Sequence, residues 1–195
     1  LEDMSTEDAI KSVVGMVEGI TGKEDVGAYI TSILEFDTLI MNEDRHFSNI
    51  GLIKTPDGVY EYAPIFDNGA AFLSDMSVDY PINKDTWGLI NSVTFKPFDL
   101  NCDRQLDVCH KLYGQQLNIK DMPGNLIDEY VINKVRATYG EKVANRIEYV
   151  FDHQRQLYGE YFNNKSMENH QILENDKNIV EDKNIEKEDD YEYEI

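Results

Sequence analysis

One stretch of the sequence, residues 25–41, is apolar around most of a helical circumference. Its large apolar members are Val26, Tyr29, Ile30, Ile33, Leu34, Phe36, Leu39 and Ile40. A helix of this kind is buried on nearly all sides, so the rest of the domain must pack around it. The stretch ends at Asn42, where a polar segment begins and continues to Asn49. The sequence therefore predicts a central buried helix that leads into a polar loop, and a rigid helix is a good base for a functional loop.

A first helix is predicted before this stretch. Ser5 or Thr6 can cap its N-terminus, the acids Glu7 and Asp8 suit its first turn, and Gly22 is a stop signal. The apolar residues that recur on one face of this helix are Ile10, Val13, Val14, Val17 and Ile20.

A β-hairpin is predicted directly after the polar segment. Residues 50–54 and 59–66 are rich in strand formers, and the segment between them, Thr55-Pro56-Asp57-Gly58, is a strong turn signal. Asn49 would precede the first strand and Asp67 would end the second. We therefore expect the hairpin to bring Asp67 back beside Asn49.

The remainder of the chain completes a mainly helical pattern. Residues 69–100 lack periodicity and predict a long loop with short ordered pieces, a kind of loop that is usually functional or mobile. Helical periodicity returns over residues 105–112, 125–138 and 141–162. Residues 163–195 are acidic and poor in large apolar side chains, which predicts a disordered tail or a frayed helix. The expected fold class is mainly α with a small β-hairpin, with one domain over residues 1–162.

Charge and composition exclude several functional classes. The 195 residues carry a formal net charge of -20, whereas a surface that binds nucleic acid or anionic lipid needs clustered Lys and Arg. The two cysteines are too few for a secreted disulfide framework, and no apolar run approaches the ~20 residues of a spanning helix. We therefore expect a cytoplasmic protein without direct nucleic-acid or membrane partners.

The polar segment and the end of the hairpin carry residue types suited to phosphoryl transfer. Asp44 and Asn49 stand five positions apart, and Asp67 would join them from the neighbouring strand. In this chemistry an acceptor group aligns the attacking hydroxyl, and Mg²⁺ needs hard oxygen ligands. An Asp, an Asn and a second Asp can divide these tasks.

Each of these residues also has a structural interpretation. Asp44 and Asn49 can cap turns after a helix, and Asp67 can stop a strand before the Asn68-Gly69 turn. His46 alone is more often a hydrogen-bonded structural histidine than a catalytic one. Arg45 can pair with an acid such as Glu43 or face solvent. Two linked motifs in this order favour a site over isolated caps.

The quoted residues also carry a family resemblance. The segment Asp44-Arg45-His46-Phe47-Ser48-Asn49 resembles the Asp-Arg-His-x-x-Asn catalytic loop of phosphatidylinositol-kinase-like enzymes. With Asn42 before it and Pro64-x-Phe66-Asp67 after it, it is more similar to the HipA-like serine/threonine kinases of bacteria. The resemblance is close over residues 25–67, and the later helices fit the C-terminal lobe of a kinase more loosely.

The resemblance implies an ATP- and Mg²⁺-dependent kinase acting on a protein Ser or Thr. It implies Asp44 as catalytic base, with His46 and Arg45 as further catalytic candidates, His46 orienting the loop or contacting phosphate. The residues implied to hold the cofactor are Asn42, Asn49 and Asp67, with Asn49 and Asp67 as the Mg²⁺ ligands. Family members place a β-rich, Lys-containing lobe before this region, whereas the roughly forty residues before Asp44 are predicted to be helical. We therefore expect a C-terminal lobe whose nucleotide-covering lobe is missing.

Two other functions are compatible with the same residues. The first is a non-catalytic binding module that regulates a kinase or engages an antitoxin or N-terminal-lobe partner. A lipid kinase is suggested by Asp44-Arg45-His46 alone. It is disfavoured because the segment after Asp67 has no basic patch for an inositol phosphate, with Lys84 and Lys96 far apart.

Overall fold

The protein is described here by a computed structural model that covers residues 4–118, 127 and 129–159. Its helices are α1 (Thr6–Thr21), α2 (Val26–Ile40), α3 (Thr86–Ile90), α4 (Cys102–Tyr113), α5 (Glu129–Tyr139) and α6 (residues 141–159). The strands β1 (Leu52–Lys54) and β2 (Tyr60–Tyr62) form an antiparallel hairpin. The predicted class, mainly α with a small hairpin, is confirmed over these residues. The predicted tail, residues 163–195, lies outside them.

Helix α1 forms where capping residues and periodicity predicted it. The Ser5 hydroxyl accepts a hydrogen bond from the Asp8 backbone N–H at 3.1 Å, and Gly22 ends the helix with a left-handed φ of 71°. Ile10 and Val14 are buried against the core, as expected. Ile20, in the last turn of the same face, is exposed.

Helix α2 is the centre of the fold and packs against both α1 and α4. The approach to α4 is close at Gly27, where an added Cβ would lie 2.3 Å from the Tyr113 ring. Glycine is therefore required there by space rather than by backbone conformation. The buried core around α2 contains Ile10, Val14, Val26, Ile30, Leu34, Leu39, Ile40, Leu106, Cys109 and Tyr158.

The hairpin is shorter than the sequence predicted. The strands end at the pair Leu52–Tyr62, and one further backbone bond joins the Ala63 N–H to the Gly51 carbonyl at 3.1 Å, whereas strands over residues 50–54 and 59–66 were expected. Pro64 has no N–H to donate, so the ladder cannot continue through it, and Phe47–Asn49 forms a 3-10 turn just before the hairpin. The segment from residue 63 to Asp67 is therefore irregular.

Helix α2 holds the base of the hairpin through Tyr29. Its hydroxyl lies 3.2 Å from the Gly51 carbonyl oxygen and 3.0 Å from that of Ala63. Its ring stacks on Tyr62 with centroids 4.1 Å apart. Both sides of the hairpin are thus fixed to the central helix, at the end of the hairpin that is nearest the polar segment.

The long loop predicted over residues 69–100 is confirmed, with a 3-10 turn at Ala71–Leu73 and the short helix α3 as its ordered pieces. A buried arginine of α6 organises part of it. Arg146 donates to the Tyr80 carbonyl at 2.7 Å and to the Pro81 carbonyl at 2.9 Å. This part of the loop is therefore fastened to the helical body.

Candidate functional site

The candidate site begins at the C-terminal end of α2, where the chain reverses direction. Met41 adopts a left-handed φ of 54°, and the Asn42 N–H donates to the Asp37 carbonyl at 2.9 Å. The Asn42 side chain is fully buried, and its Nδ2 donates to Asp37 Oδ1 at 2.9 Å. Burial raises the pKa of the Asp37 carboxyl, an effect that its hydrogen bonds from Arg45 and Asn42 oppose.

Arg45 joins three parts of the chain beneath the polar segment. Its Nε and Nη2 form a bidentate pair with the Asp37 carboxylate at 2.7 and 2.8 Å. Its Nη1 donates to the carbonyls of Asn49 at 3.0 Å and Phe66 at 2.6 Å, and Nη2 also donates to Asn68 Oδ1 at 2.6 Å. The side chain is 0% exposed. All five N–H groups of the guanidinium are therefore engaged inside the protein.

Arg45 pairs with an acid, as one of the two structural interpretations has it, but the acid is not Glu43, and the side chain does not face solvent. Its partner is Asp37, and Glu43 instead accepts a hydrogen bond from the Tyr80 hydroxyl. With its donors engaged, Arg45 acts on the site by holding the backbone around it. Asn42 belongs to the same buried network, so we place both as positioning residues rather than as groups that touch a ligand.

Arg45 also brings the two motifs together. The carbonyl oxygens of Asn49 and Phe66 lie within 3.0 Å of the same nitrogen, so Asp67 follows directly from a residue held beside Asn49. The predicted juxtaposition is thus present in the backbone. Asp67 is exposed and has a φ of 56°, a conformation that is uncommon outside glycine and occurs at functional sites. Within the described ranges its carboxylate has no hydrogen bond or ion pair.

The opposite side of the polar segment is open to solvent. The Asp44 carboxylate is 51% exposed, and its Oδ1 accepts a hydrogen bond from Lys96 Nζ at 2.7 Å. This contact lowers the pKa of Asp44 below its ordinary value of 3.8, so the group is ionised at neutral pH. An ionised carboxylate is the form that accepts a proton from a hydroxyl.

His46 and Asn49 fix the shape of the segment. Asn49 is buried, and its Nδ2 lies 3.3 Å from both the Asp44 carbonyl oxygen and His46 Nε2. His46 Nε2 lies 4.0 Å from Asp44 Oδ2. The imidazole therefore stands between the Asp44 carboxylate and the Asn49 amide, where it orients the loop.

A cleft of about 610 Å³ adjoins Asp44. Lys96 is the one basic residue in its lining. The acidic residues of the lining are Glu43, Asp44, Asp75 and Asp79, and the hydroxyls are Ser74 and Thr94. The volume is sufficient for a side chain or a phosphate-bearing group, and the polar lining suits a charged ligand.

The donor chemistry of the site fits Mg²⁺. The Asp67 carboxylate is exposed, and the Asn49 amide directs its nitrogen at the Asp44 carbonyl, which frees its oxygen for another partner. These are hard oxygen ligands, and Mg²⁺ commonly takes only one or two from the protein and the rest from phosphate and water. In the part of the chain described, no three His, Cys, Asp or Glu side chains form a metal cluster by themselves.

Two residues that the structure brings into the site, Asp37 and Lys96, are not among the site residues predicted from the sequence. Asp37 carried a signal, because a carboxylate inside an apolar helix requires a buried donor, and Arg45 is the nearest basic residue after it. Lys96 is 52 positions from Asp44, and no local pattern connects them. Only the course of the long loop brings this lysine to the site.

Comparisons of the chain with protein-family models, with curated proteins and with solved structures gave no match. Among the described residues, no helix has both the length and the apolar character needed to cross a bilayer. The functional assignment therefore depends on the residues and their geometry.

Proposed function

We propose that this chain is the catalytic lobe of an ATP- and Mg²⁺-dependent phosphotransferase of HipA-like type that acts on a Ser or Thr hydroxyl of a protein. The observation that carries the proposal is the buried guanidinium of Arg45. This one group joins the Asp44–Asn49 segment to the Phe66–Asn68 segment. Two motifs that resemble separate parts of a kinase site are thereby held as one unit.

In the proposed reaction Asp44 receives the proton of the acceptor hydroxyl. The hydroxyl oxygen forms a bond to the γ-phosphorus of ATP, and the bond from that phosphorus to the β–γ bridging oxygen breaks. The electron pair of the broken bond leaves with ADP, and the proton remains on Asp44 until it passes to solvent. The ionised state of Asp44 suits this role, because its low pKa keeps it unprotonated before the acceptor binds.

Asn49 and Asp67 are the residues that would hold Mg²⁺. When bound, the ion neutralises charge on the phosphate oxygens. The remaining residues of the polar segment act by positioning. His46 and Asn49 fix the orientation of Asp44, and Arg45 fixes the distance between the two segments. Such positioning matters because a displacement of about 1 Å can cost ~100-fold in rate.

The test is phosphate transfer from γ-labelled ATP to casein and histone by the full native gene product that contains this sequence. Asp44→Asn and Asp67→Asn should each lower transfer by about 100-fold or more. Asp57→Asn is the matched control, since it removes an exposed carboxylate at the tip of the hairpin. Transfer that is indifferent to both site substitutions would overturn the assignment.

The second candidate is a non-catalytic binding module of a regulatory or toxin–antitoxin system. The observation that favours it is the ion pair between Asp44 and Lys96, because it occupies an oxygen of the carboxylate that a base would use. Calorimetry with Mg²⁺-ATP separates the two candidates. Tight binding that Asp67→Asn abolishes would count against a purely structural role. A lipid kinase is the weakest alternative, since the cleft beside Asp44 is predominantly acidic.

A further inference from the structure

We propose that Lys96 is a second catalytic residue of this site, which contacts the phosphoryl group as it passes to the acceptor hydroxyl held by Asp44. This inference rests on the proposed function and adds a residue that the motif resemblance does not contain. Lys96 comes from the long loop after the hairpin, in a segment with no motif of its own.

The first support is the distance between the two side chains. Lys96 Nζ lies 2.7 Å from Asp44 Oδ1, and both side chains are 51% exposed at the edge of the same cleft. An ammonium group has three donors, and Asp44 engages one of them. Two donors of Lys96 therefore remain for a phosphate oxygen that arrives beside Asp44.

The second support is the charge of the cleft. Glu43, Asp75 and Asp79 line it together with Asp44, and Lys96 is the one cation in that lining. A phosphoryl group brings further negative charge, which these carboxylates would repel. A cation beside the attacking oxygen offsets this repulsion most in the transition state, where charge spreads over the phosphoryl oxygens.

The third support is reach. A hydroxyl bound to Asp44 Oδ2 would lie ~2.6–3.2 Å from that oxygen. The phosphorus would approach the hydroxyl to roughly 3–3.5 Å. Lys96 already sits on the other oxygen of the same carboxylate, so rotation of its flexible four-carbon side chain brings Nζ to a phosphoryl oxygen.

The backbone that carries Lys96 is held in place. Phe95 is buried, and its N–H donates to the Leu100 carbonyl at 3.0 Å. Gln105 Nε2 lies 3.4 Å from the Lys96 carbonyl oxygen and is buried in α4. The backbone of Lys96 is therefore fixed beside Asp44, and its flexible four-carbon side chain supplies the reach to a phosphoryl oxygen.

In the step proposed, Lys96 forms and breaks no covalent bond. Asp44 takes the hydroxyl proton, the hydroxyl oxygen bonds to the γ-phosphorus, and ADP leaves with the electron pair of the bridging bond. The hydrogen bond from Lys96 transfers from the Asp44 carboxylate to a phosphoryl oxygen as Asp44 gains its proton. The ammonium remains charged throughout.

The test compares Lys96→Met, Lys96→Arg and the wild-type full gene product in transfer from ATP to casein and histone, with kcat and KM measured separately. We expect Lys96→Met to lower kcat by about 100-fold, and Lys96→Arg to restore part of it. A loss of kcat that Lys96→Arg leaves unrelieved would count against a contact between this side chain and the phosphoryl group.

Lys111→Met is the matched control. It removes an exposed lysine that pairs with Glu7 at 2.8 Å on another part of the surface, and transfer should be unchanged. If wild-type protein transfers phosphate and Lys96→Met, folded by circular dichroism, keeps its kcat within about threefold, the inference is overturned and the proposed function stands. If wild-type protein transfers no phosphate to either acceptor or to itself, the proposed function fails, and the role of Lys96 fails with it.

Discussion

Helix α2 carries two buried carboxylates, Glu35 and Asp37, that hold different parts of the molecule. Glu35 Oε1 lies 2.8 Å from His110 Nε2, and the carboxylate accepts hydrogen bonds from the backbone beyond α4, including that of Leu117 at 2.7 Å. Asp37 accepts the bidentate pair from Arg45. Residues two positions apart on a helix project about 200° apart, so the two acids face nearly opposite sides.

Glu35 stabilises the packing of the helices, whereas Asp37 stabilises the candidate site. A buried carboxylate is costly unless several donors surround it, and each of these acids has such a set. The donors of Glu35 come from α4 and the turn after it, so this acid fastens one helix to another. The donors of Asp37 come from the polar segment, so this acid fastens the candidate site to the same helix. Two buried carboxylates on the same helix thus have different roles.

The largest expected loss of stability follows from removing the partner of Asp37. Arg45→Met would leave the Asp37 carboxylate buried without its cation and remove the donor to the Asn49 and Phe66 carbonyls. We expect the free energy of unfolding, measured in urea, to fall by about 3–5 kcal/mol. Arg104→Met is the control, because Arg104 is an exposed partner of Asp99 and its loss should cost less than about 1 kcal/mol. Equal losses in the two variants would contradict the central role of Arg45.

The comparison itself is tested by the isosteric pair Glu35→Gln and Asp37→Asn. Each substitution replaces an acceptor oxygen by an amide that meets buried donors, and we expect each to lower the free energy of unfolding by about 1.5–3 kcal/mol. Only Asp37→Asn should also lower phosphate transfer per folded molecule. If Glu35→Gln reduces transfer as strongly, the separation of architecture from site is wrong.

The smallest expected effect concerns an exposed acid, Glu7. Hydrogen bonds from Lys11 and Lys111 lower its pKa from 4.5 to about 2. A lowered pKa means that this stabilisation is complete above pH 4.5 and is lost as the pH falls toward 2. An NMR titration of Lys111→Met should find the pKa of Glu7 partly restored toward 4.5. An unchanged pKa would mean that the pair does not form in solution.

Local sequence patterns predicted the helices α1 and α2 well, because most apolar residues of each helix face the buried core. The Ser5 cap, the Gly22 stop and the apolar face between them defined α1, and continuous apolar character defined α2. The hairpin was predicted too long because strand composition continues to Phe66, although Pro64 ends the ladder. Strand propensity describes side chains, whereas the length of a ladder depends on which backbone groups find partners.

The candidate site was predictable only in part. The motif residues identified the polar segment, and the turn chemistry of the hairpin brought Asp67 to Asn49. The motif alone does not predict that Arg45 is buried, because its burial depends on Asp37, a residue outside the motif. The contact of Lys96 with Asp44 depends on the path of a long loop without periodicity. Tertiary contacts of this kind leave no signal in local sequence.

The guanidinium of Arg45 also sets an order of events when the chain is made. Asp37 emerges from the ribosome before Arg45, but the Phe66 carbonyl and the Asn68 side chain emerge more than twenty residues after it. Until residue 68 is available, two of the five donors have no permanent acceptor, and the polar segment is not tied to the second motif. The junction between the two motifs therefore cannot be complete until residue 68 has been synthesised, when the central helix and both strands are already present.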